Sequence, residues 1–284
     1  MIVIKRNIDA LGDTIMMSII VNTYAKENPD KEIIIAIDSK KEYIDIFLSN
    51  FVDKVINYND TYFNHSLLLD NSSVEKCDLS SESSVYEDSG IYIDRIELSL
   101  KILNCTANNV IKKKPNVKDN NKIPTVDIFI HCDSNDEKRR FNGWYNVIDY
   151  FFDKGLNIAY SFGNRCYFKV QKNFSNRSNF KRYSEEISLN DLVCMINKCK
   201  LFLGCDSGLM HVAGLLDKES LCLFGSTIPE TRLKYYPKTK SILSKVSCVG
   251  CYNKDCVYDI RCMKEITYQE VIKNIESEFY EILF

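Results

Sequence analysis

Apolar and polar positions along the chain follow two periods that take turns. "MIVIKR" is a short β-rich run, and "TIMMSIIVNTYAKENPDK" then places Ile15, Met16, Ile19, Ile20 and Tyr24 at helical spacing. Asn28-Pro29-Asp30 stops that helix. "EIIIAID" reads as a buried strand, "KKEYIDIFLSNF" as a helix and "DKVINYN" as a third strand. Residues 64–90 are polar and serine-rich with little pattern, after which "YIDRIELSLKILNC" recovers helical spacing. A stretch of Lys, Asn and Pro follows, with little to bury.

A second alternation then begins. "TVDIFIH" predicts a strand, "GWYNVIDYFFDKG" a helix ending on Gly155, and "LNIAYSFG" a strand. "SLNDLVCMINKC" predicts a helix capped by Ser188, "KLFLGC" a strand, "SGLMHVAGLLDK" a helix and "SLCLFG" a strand. A helix from about Thr267 closes the chain. Strand–helix–strand repetition predicts parallel α/β sheets. The division expected is an N-terminal unit at 1–116, a linker at 117–124 and a C-terminal unit at 125–284. Ligands of such sheets bind at the carboxyl ends of the strands, so a cleft between the two units is the expected site.

Composition adds boundaries rather than direction. With 45% hydrophobic residues, a net charge of −2 and a pI near 6.0, the chain gives no bulk electrostatic reason to expect a nucleic-acid partner. No apolar run approaches the roughly 18 residues of a membrane span, and the first charges follow the first apolar residues, the reverse of a signal peptide. A cytoplasmic protein is expected, with the inner face of the cytoplasmic membrane open as a working surface. Of 12 cysteines, eight are scattered and read as small reduced core residues. The other four crowd together as Cys248-x2-Cys251-x4-Cys256-x5-Cys262. Four thiols in one loop suit a structural Zn²⁺ or, second, iron, with no coordination position left for chemistry; cysteines without a metal are the equal alternative.

Four polar stretches sit where strands give way to helices. In "LGDT", Gly12 permits a tight turn, and Asp13 stands near a helix start either as an N-cap or as a general base. In "GCDSGLMHVAGLL", Asp206, Ser207 and Gly208 precede a helix whose first N–H groups would favour an anion. Asp206 caps that helix or fixes the loop. His211 is equally a phosphate or ribose contact and a satisfied half-buried histidine. In "CDSNDEKRRFNGW", Lys138, Arg139 and Arg140 suit a diphosphate, although a solvated basic loop is the commoner meaning of three consecutive charges. In "LFGSTIPETR", Gly225, Ser226 and Thr227 form a small polar turn at a strand end.

Taken together, these stretches resemble glycosyltransferase family 9, the bacterial heptosyltransferase-like enzymes. "LGDTIMMSIIVNTYAKENPDKEI" is similar to the family's opening Gly-Asp, helix and strand, and "GCDSGLMHVAGLL" to its Asp-[Ser/Thr]-Gly-Leu-Met-His-Leu-Ala signature. "LCLFGSTIPE" resembles its Leu-Phe-Gly-x-Thr-x-Pro turn, and "CVGCYNKDCVYDIRCMKEITYQEVI" its cysteine-bearing tail.

The resemblance implies a GT-B fold, two Rossmann-like domains facing across a cleft, with a shortened N-terminal acceptor domain. It implies an inverting, metal-independent transfer of a sugar from a nucleotide sugar, usually ADP-heptose, to a glycan, lipid-linked or protein acceptor. Asp13 matches the family's general base. Gly12, Asp206, Ser207, Gly208, Leu209, His211, Gly225 and Thr227 match its donor-binding positions. A family Lys that precedes an aromatic residue and holds the phosphates falls on Lys138 first, with Arg139 and Arg140 as rivals. No catalytic cofactor is implied. Two competing readings stand beside this one: a nucleotide-sugar-binding module without acceptor chemistry, and a GT-B sugar epimerase.

Overall fold

A computed structural model of the chain describes residues 1–6, 10–57, 74–80, 87, 90–134, 136–161, 180–183, 187–252 and 255–284. Most of the serine-rich 64–90 region, the 162–170 part of "SFGNRCYFKV" and Cys166 lie outside the described residues. The chain divides into unit 1, residues 1–117 together with 230–235, and unit 2, residues 118–229 and 236–284. Residues 118–120 belong by contact to unit 2: Asn190 accepts from the Lys118 N–H at 2.8 Å, and Asp191 from the Asn120 amide at 2.8 Å. No helix among the described residues is long and apolar enough to cross a membrane.

Unit 1 is built on β1 (Ile2–Arg6), β2 (Ile33–Ile37), β3 (Val55–Asn57) and β4 (Glu75–Asp78). They form one sheet in the order β3-β2-β1-β4 with every pairing parallel. β4 departs from expectation, since "EKCD" has no apolar period. It pairs with β1 along one side only, and its side chains are largely exposed, so no buried face imposes a pattern. Helix α1 (Leu11–Glu27) is buried at every position from Gly12 to Tyr24. Three of its polar side chains donate back to the helix itself. Ser18, Asn22 and Thr23 donate to the carbonyls of Ile15, Ser18 and Ile19, each at 2.7 Å. Helices α2 (Lys41–Phe47) and α3 (Arg95–Ile102) pack on it, the latter capped by Asp94 through the N–H groups of Ile96 and Glu97.

Segment 230–235 completes unit 1. Arg232 is buried and donates to Glu87 Oε1 at 2.8 Å, while Arg95 grips the same carboxylate through Nε and Nη2 at 3.0 and 2.8 Å. Burial opposes the charge on Glu87, but the two guanidinium groups outweigh it and hold the carboxyl below its ordinary range.

Among the described residues, unit 2 carries six strands: β5 (Ile128–His131), β6 (Ile158–Ser161), β7 (Phe180–Tyr183), β8 (Leu201–Cys205), β9 (Ser220–Phe224) and β10 (Thr239–Leu243). The order is β10-β9-β8-β5-β6-β7, all parallel. β8 and β9 are buried at every position, which is why they read as unbroken apolar runs. The other elements are α4 (Trp144–Asp153), α5 (Leu189–Lys198), α6 (Gly208–Leu215), α7 (Arg261–Lys264) and α8 (Tyr268–Leu283). Their end signals act as read: Ser188 accepts from Asp191 N–H, Thr267 from Glu270 N–H, and Gly155 follows α4 with φ of 82°. β7, β10 and α7 are additions to the elements that the sequence pattern predicts.

Candidate functional site

Asp13 is not an N-cap. Helix α1 begins at Leu11, its N-cap Ala10 makes no side-chain bond, and buried Gly12 and Asp13 fall within the first turn. The Asp13 carboxylate instead accepts a hydrogen bond at Oδ1 from Arg6 Nη2 at 2.6 Å. Arg6 ends β1, and the side chains are 1% and 10% exposed for Arg6 and Asp13, so the pair is closed to water on the arginine side. Beside it, the Thr14 and Ser39 hydroxyls meet at 2.7 Å. Nothing in the residue pattern of "MIVIKR" singles out Arg6, because a terminal strand Arg usually points to solvent.

In unit 2 the chain leaves β5 toward β6 and β7 on one side, and β8, β9 and β10 lie on the other. The β5/β8 junction is therefore the switch point of the sheet, where open α/β sheets place ligands. Asp206, Ser207 and Gly208 follow β8 there. Asp206 is 2% exposed and fixes the loop rather than capping α6. Its Oδ2 accepts from Thr227 Oγ1 at 2.7 Å and lies 3.2 Å from Arg139 Nη1. Ser207 is the N-cap residue of α6 but makes no capping bond, and its Oγ is buried with no partner among the described residues. Of the first-turn N–H groups of α6, that of Met210 donates to the Ser207 carbonyl at 3.2 Å, while those of Gly208 and Leu209 lie before any intrahelical acceptor.

The three consecutive basic residues separate into three environments. A 3₁₀ turn at Glu137–Arg139, capped by Asp136, sets their directions. Arg140 anchors its own loop, donating through Nε to Asp133 at 2.9 Å and through Nη2 to the Ser134 carbonyl at 2.9 Å. Arg139 reaches Asp206, and its buried Nε lies 3.6 Å from Asp136 Oδ2 without a hydrogen bond. Lys138 lies 3.6 Å from Asp136 and lines the recess of the cysteine cluster.

His211 and Leu209 are turned into the protein, 4% exposed each. The Nδ1 atom of His211 and the Tyr236 hydroxyl are 3.0 Å apart, with the rings edge-on. At the end of β5, His131 Nδ1 stands 2.9 Å from Ser161 Oγ, and burial holds its imidazole down to about 4 against the opposing charge of Asp133.

Cys248, Cys251, Cys256 and Cys262 line one recess together with Lys138, Ser226 and Asp255. Burial, and then the three neighbouring thiols, push Cys262 up to about 11. Cys256 Sγ accepts from Ile260 N–H at 3.2 Å, where Asp259 and Ile260 both take left-handed φ values of 50° and 49°. The recess packs on the Gly225 turn: Gly250 and Tyr252 donate their N–H groups to the carbonyls of Gly225 and Ser226, each at 2.9 Å. A Cβ on Gly225 would stand 2.7 Å from Met263 Sδ and 2.9 Å from Cys262 Sγ, so only glycine fits without displacement. Buried Ser226 Oγ has no partner among the described residues. The donor chemistry of the recess suits a thiophilic metal, yet no three His, Cys, Asp or Glu side chains among the described residues are grouped to hold an ion.

Two parallel-sheet units, one with an uncapped helix start at its switch point and an arginine on the adjoining Asp206, define an α/β protein of the doubly wound class. The family model of glycosyltransferase family 9 (heptosyltransferase) matches residues 104–260, more than half of the chain, and the chain belongs to that family. It is 26% identical over 108 residues to lipooligosaccharide heptosyltransferase 2 of Campylobacter jejuni, covering 37% of this chain and 31% of that relative. The match thus spans about a third of the relative's length.

Among solved structures, the chain is similar to the iron-containing dodecameric glycosyltransferase TibC from enterotoxigenic E. coli, with a TM-score of 0.72, 12% identity and coverage of 98% of this chain and 78% of that one. It is also similar to the E. coli ADP-heptose lipopolysaccharide heptosyltransferase II, with a TM-score of 0.65, 14% identity and 98% coverage of both chains. A family 9 glycosyltransferase from Veillonella parvula gives a TM-score of 0.68 at 16% identity, covering 98% of this chain and 97% of that one. The fold is GT-B.

Proposed function

We infer that the chain moves a heptose from ADP-heptose to a hydroxyl of a glycan, lipid-linked or protein acceptor, with inversion at the anomeric carbon. One observation carries the donor half: the buried Ser207 Oγ, without a partner among the described residues, stands at the uncapped start of α6, and Arg139 lies 3.2 Å from the adjoining Asp206. An unpaired buried hydroxyl is costly, and an anion seated there would accept from it and face the guanidinium. Family membership supports sugar transfer, and TibC, of similar fold, has been solved with ADP-D-β-D-heptose.

The proposed chemistry is one displacement. The acceptor oxygen bonds to the anomeric carbon as the bond from that carbon to the β-phosphate oxygen breaks. The hydroxyl proton passes to Asp13, and the diphosphate leaves with its charge met by Arg139 and the α6 N–H groups. Arg139 is assigned the phosphate because it lies 3.2 Å from Asp206 beside the α6 start, whereas Arg140 is engaged by Asp133 and Ser134 and Lys138 lines the cysteine recess. Four thiols suit a structural Zn²⁺ or iron by donor chemistry although they are not grouped to hold an ion here, and metal analysis with thiol titration of the purified protein tests that reading.

Thermal shifts with ADP, UDP, GDP and CMP test the donor. ADP is expected to raise Tm most, and stabilisation by UDP or GDP alone would overturn the assignment. Asp13→Asn is expected to lower the rate of ADP release from ADP-heptose about 100- to 10,000-fold with ADP affinity retained.

A further inference from the structure

We propose that Arg6 is the positioning residue of the transfer reaction: it holds Asp13 by one carboxylate oxygen and leaves the other to take the acceptor proton. This rests on the general-base reading of Asp13. Three observations carry it. First, the contact is single. Arg6 Nη2 donates to Oδ1 at 2.6 Å, and among the described residues no donor reaches Oδ2. An arginine recruited only for stability would gain most from gripping both oxygens, as Arg95 does with Glu87 in the same unit.

Second, the guanidinium is not satisfied by this arrangement. Arg6 Nε is buried and has no partner among the described residues, so the side chain accepts a cost to sit where it does. Third, its base is rigid. Arg6 is paired with Ile37 of β2, the Arg6 carbonyl accepts from Asp38 N–H at 3.4 Å, and the carbonyl of Lys5 accepts from Leu79 N–H at 2.8 Å. A strand-borne cation locked in the sheet fixes a carboxylate on the first turn of α1 with little freedom left to either. In the transfer step Arg6 keeps its protons and its bond to Oδ1; the acceptor hydroxyl proton arrives at Oδ2 and leaves to solvent afterwards.

The test uses the full chain, ADP-heptose as donor and water or an added oligosaccharide as acceptor, with ADP release as the rate and calorimetry with ADP as the binding measure. Arg6→Ala is expected to lower kcat about 100-fold while donor KM and ADP Kd stay within about twofold. Added guanidinium ion is expected to restore about tenfold of that loss in Arg6→Ala and nothing in Asp13→Asn. Arg6→Lys is expected to keep about a tenth of the wild-type rate. If Arg6→Ala turns over within about threefold of wild type while Asp13→Asn is inactive, Arg6 is only structural and the proposal fails. A loss in Arg6→Ala that falls on KM instead of kcat also overturns it. If Asp13→Asn remains active, or wild type releases no ADP, the reading of Asp13 fails first and takes this one with it. Should Arg6→Ala not fold, the kcat-against-KM split of Arg6→Lys decides by the same criteria.

Discussion

Asp13 and Asp206 lie at strand-to-helix junctions in two different units, Asp13 in the first turn of α1 and Asp206 just before α6, and each is of a residue type that caps helices. Neither does. Each is held by an arginine, Arg6 at 2.6 Å and Arg139 at 3.2 Å. The difference lies in what remains unengaged. Asp13 has an oxygen to spare and a fully buried arginine, while Asp206 shares its Oδ2 between Thr227 and an arginine that is 30% exposed. One arrangement leaves a carboxylate oxygen unengaged among the described residues; the other shares a partly exposed cation between Asp206 and Asp136. In the proposed reaction the first arrangement serves as the proton acceptor and the second as the anion cradle.

The comparison breaks most visibly in stability. Arg6→Met leaves Asp13 buried and unpaired, with an expected loss of about 3–5 kcal/mol in urea unfolding. Arg139→Met removes a partly solvated pair and is expected to cost at most about 1 kcal/mol. Equal losses would erase the distinction drawn between the two arginines.

Arg139→Met should act on binding instead. Loss of one charge-assisted contact to the diphosphate is worth about 1.5–3 kcal/mol, so ADP affinity should fall about 10- to 100-fold by calorimetry.

Acid should separate the units at different pH. His131, at the end of β5, is held down to about 4, so the folded state resists a proton that the unfolded chain takes up near 6.5. Its contribution is present above about 6.5 and is lost as pH falls toward 4, by about 2 kcal/mol for a half-buried ring. In unit 1, Glu87 sits below its ordinary 4.5, and its contribution is kept until pH falls through 4.5 and below. Hydrogen exchange followed between pH 7 and 4 should loosen peptides of β5 and β6 before those of α3, and the reverse order would overturn the assignment.

Much of the framework is legible in the residues alone. Runs such as "EIIIAID" and "KLFLGC" read as strands because burial on both faces removes polar positions, and the caps at Ser188 and Thr267 act within three residues. β4 and β10 are not legible in that way. "EKCD" is mostly exposed, and β10 alternates incompletely, with Lys240 and Ser241 both exposed. The positions of the site residues are legible, but their partners are not. Which of Lys138, Arg139 and Arg140 faces Asp206 depends on one 3₁₀ turn, and the Arg6–Asp13 contact depends on how β1 hands the chain to α1. Spacing in sequence encodes neither, because both are decided by tertiary packing.

Segment 230–235 has a consequence for synthesis. The Arg232 that closes on Glu87 and Arg95 is reached only after residues 118–229 have been made. Domains usually mature in the order in which they leave the ribosome. Here the first unit stays unfinished until most of the second has emerged. Arg232 has no counterpart in a fragment cut at residue 117, so a nascent chain of that length holds Glu87 with one arginine instead of two.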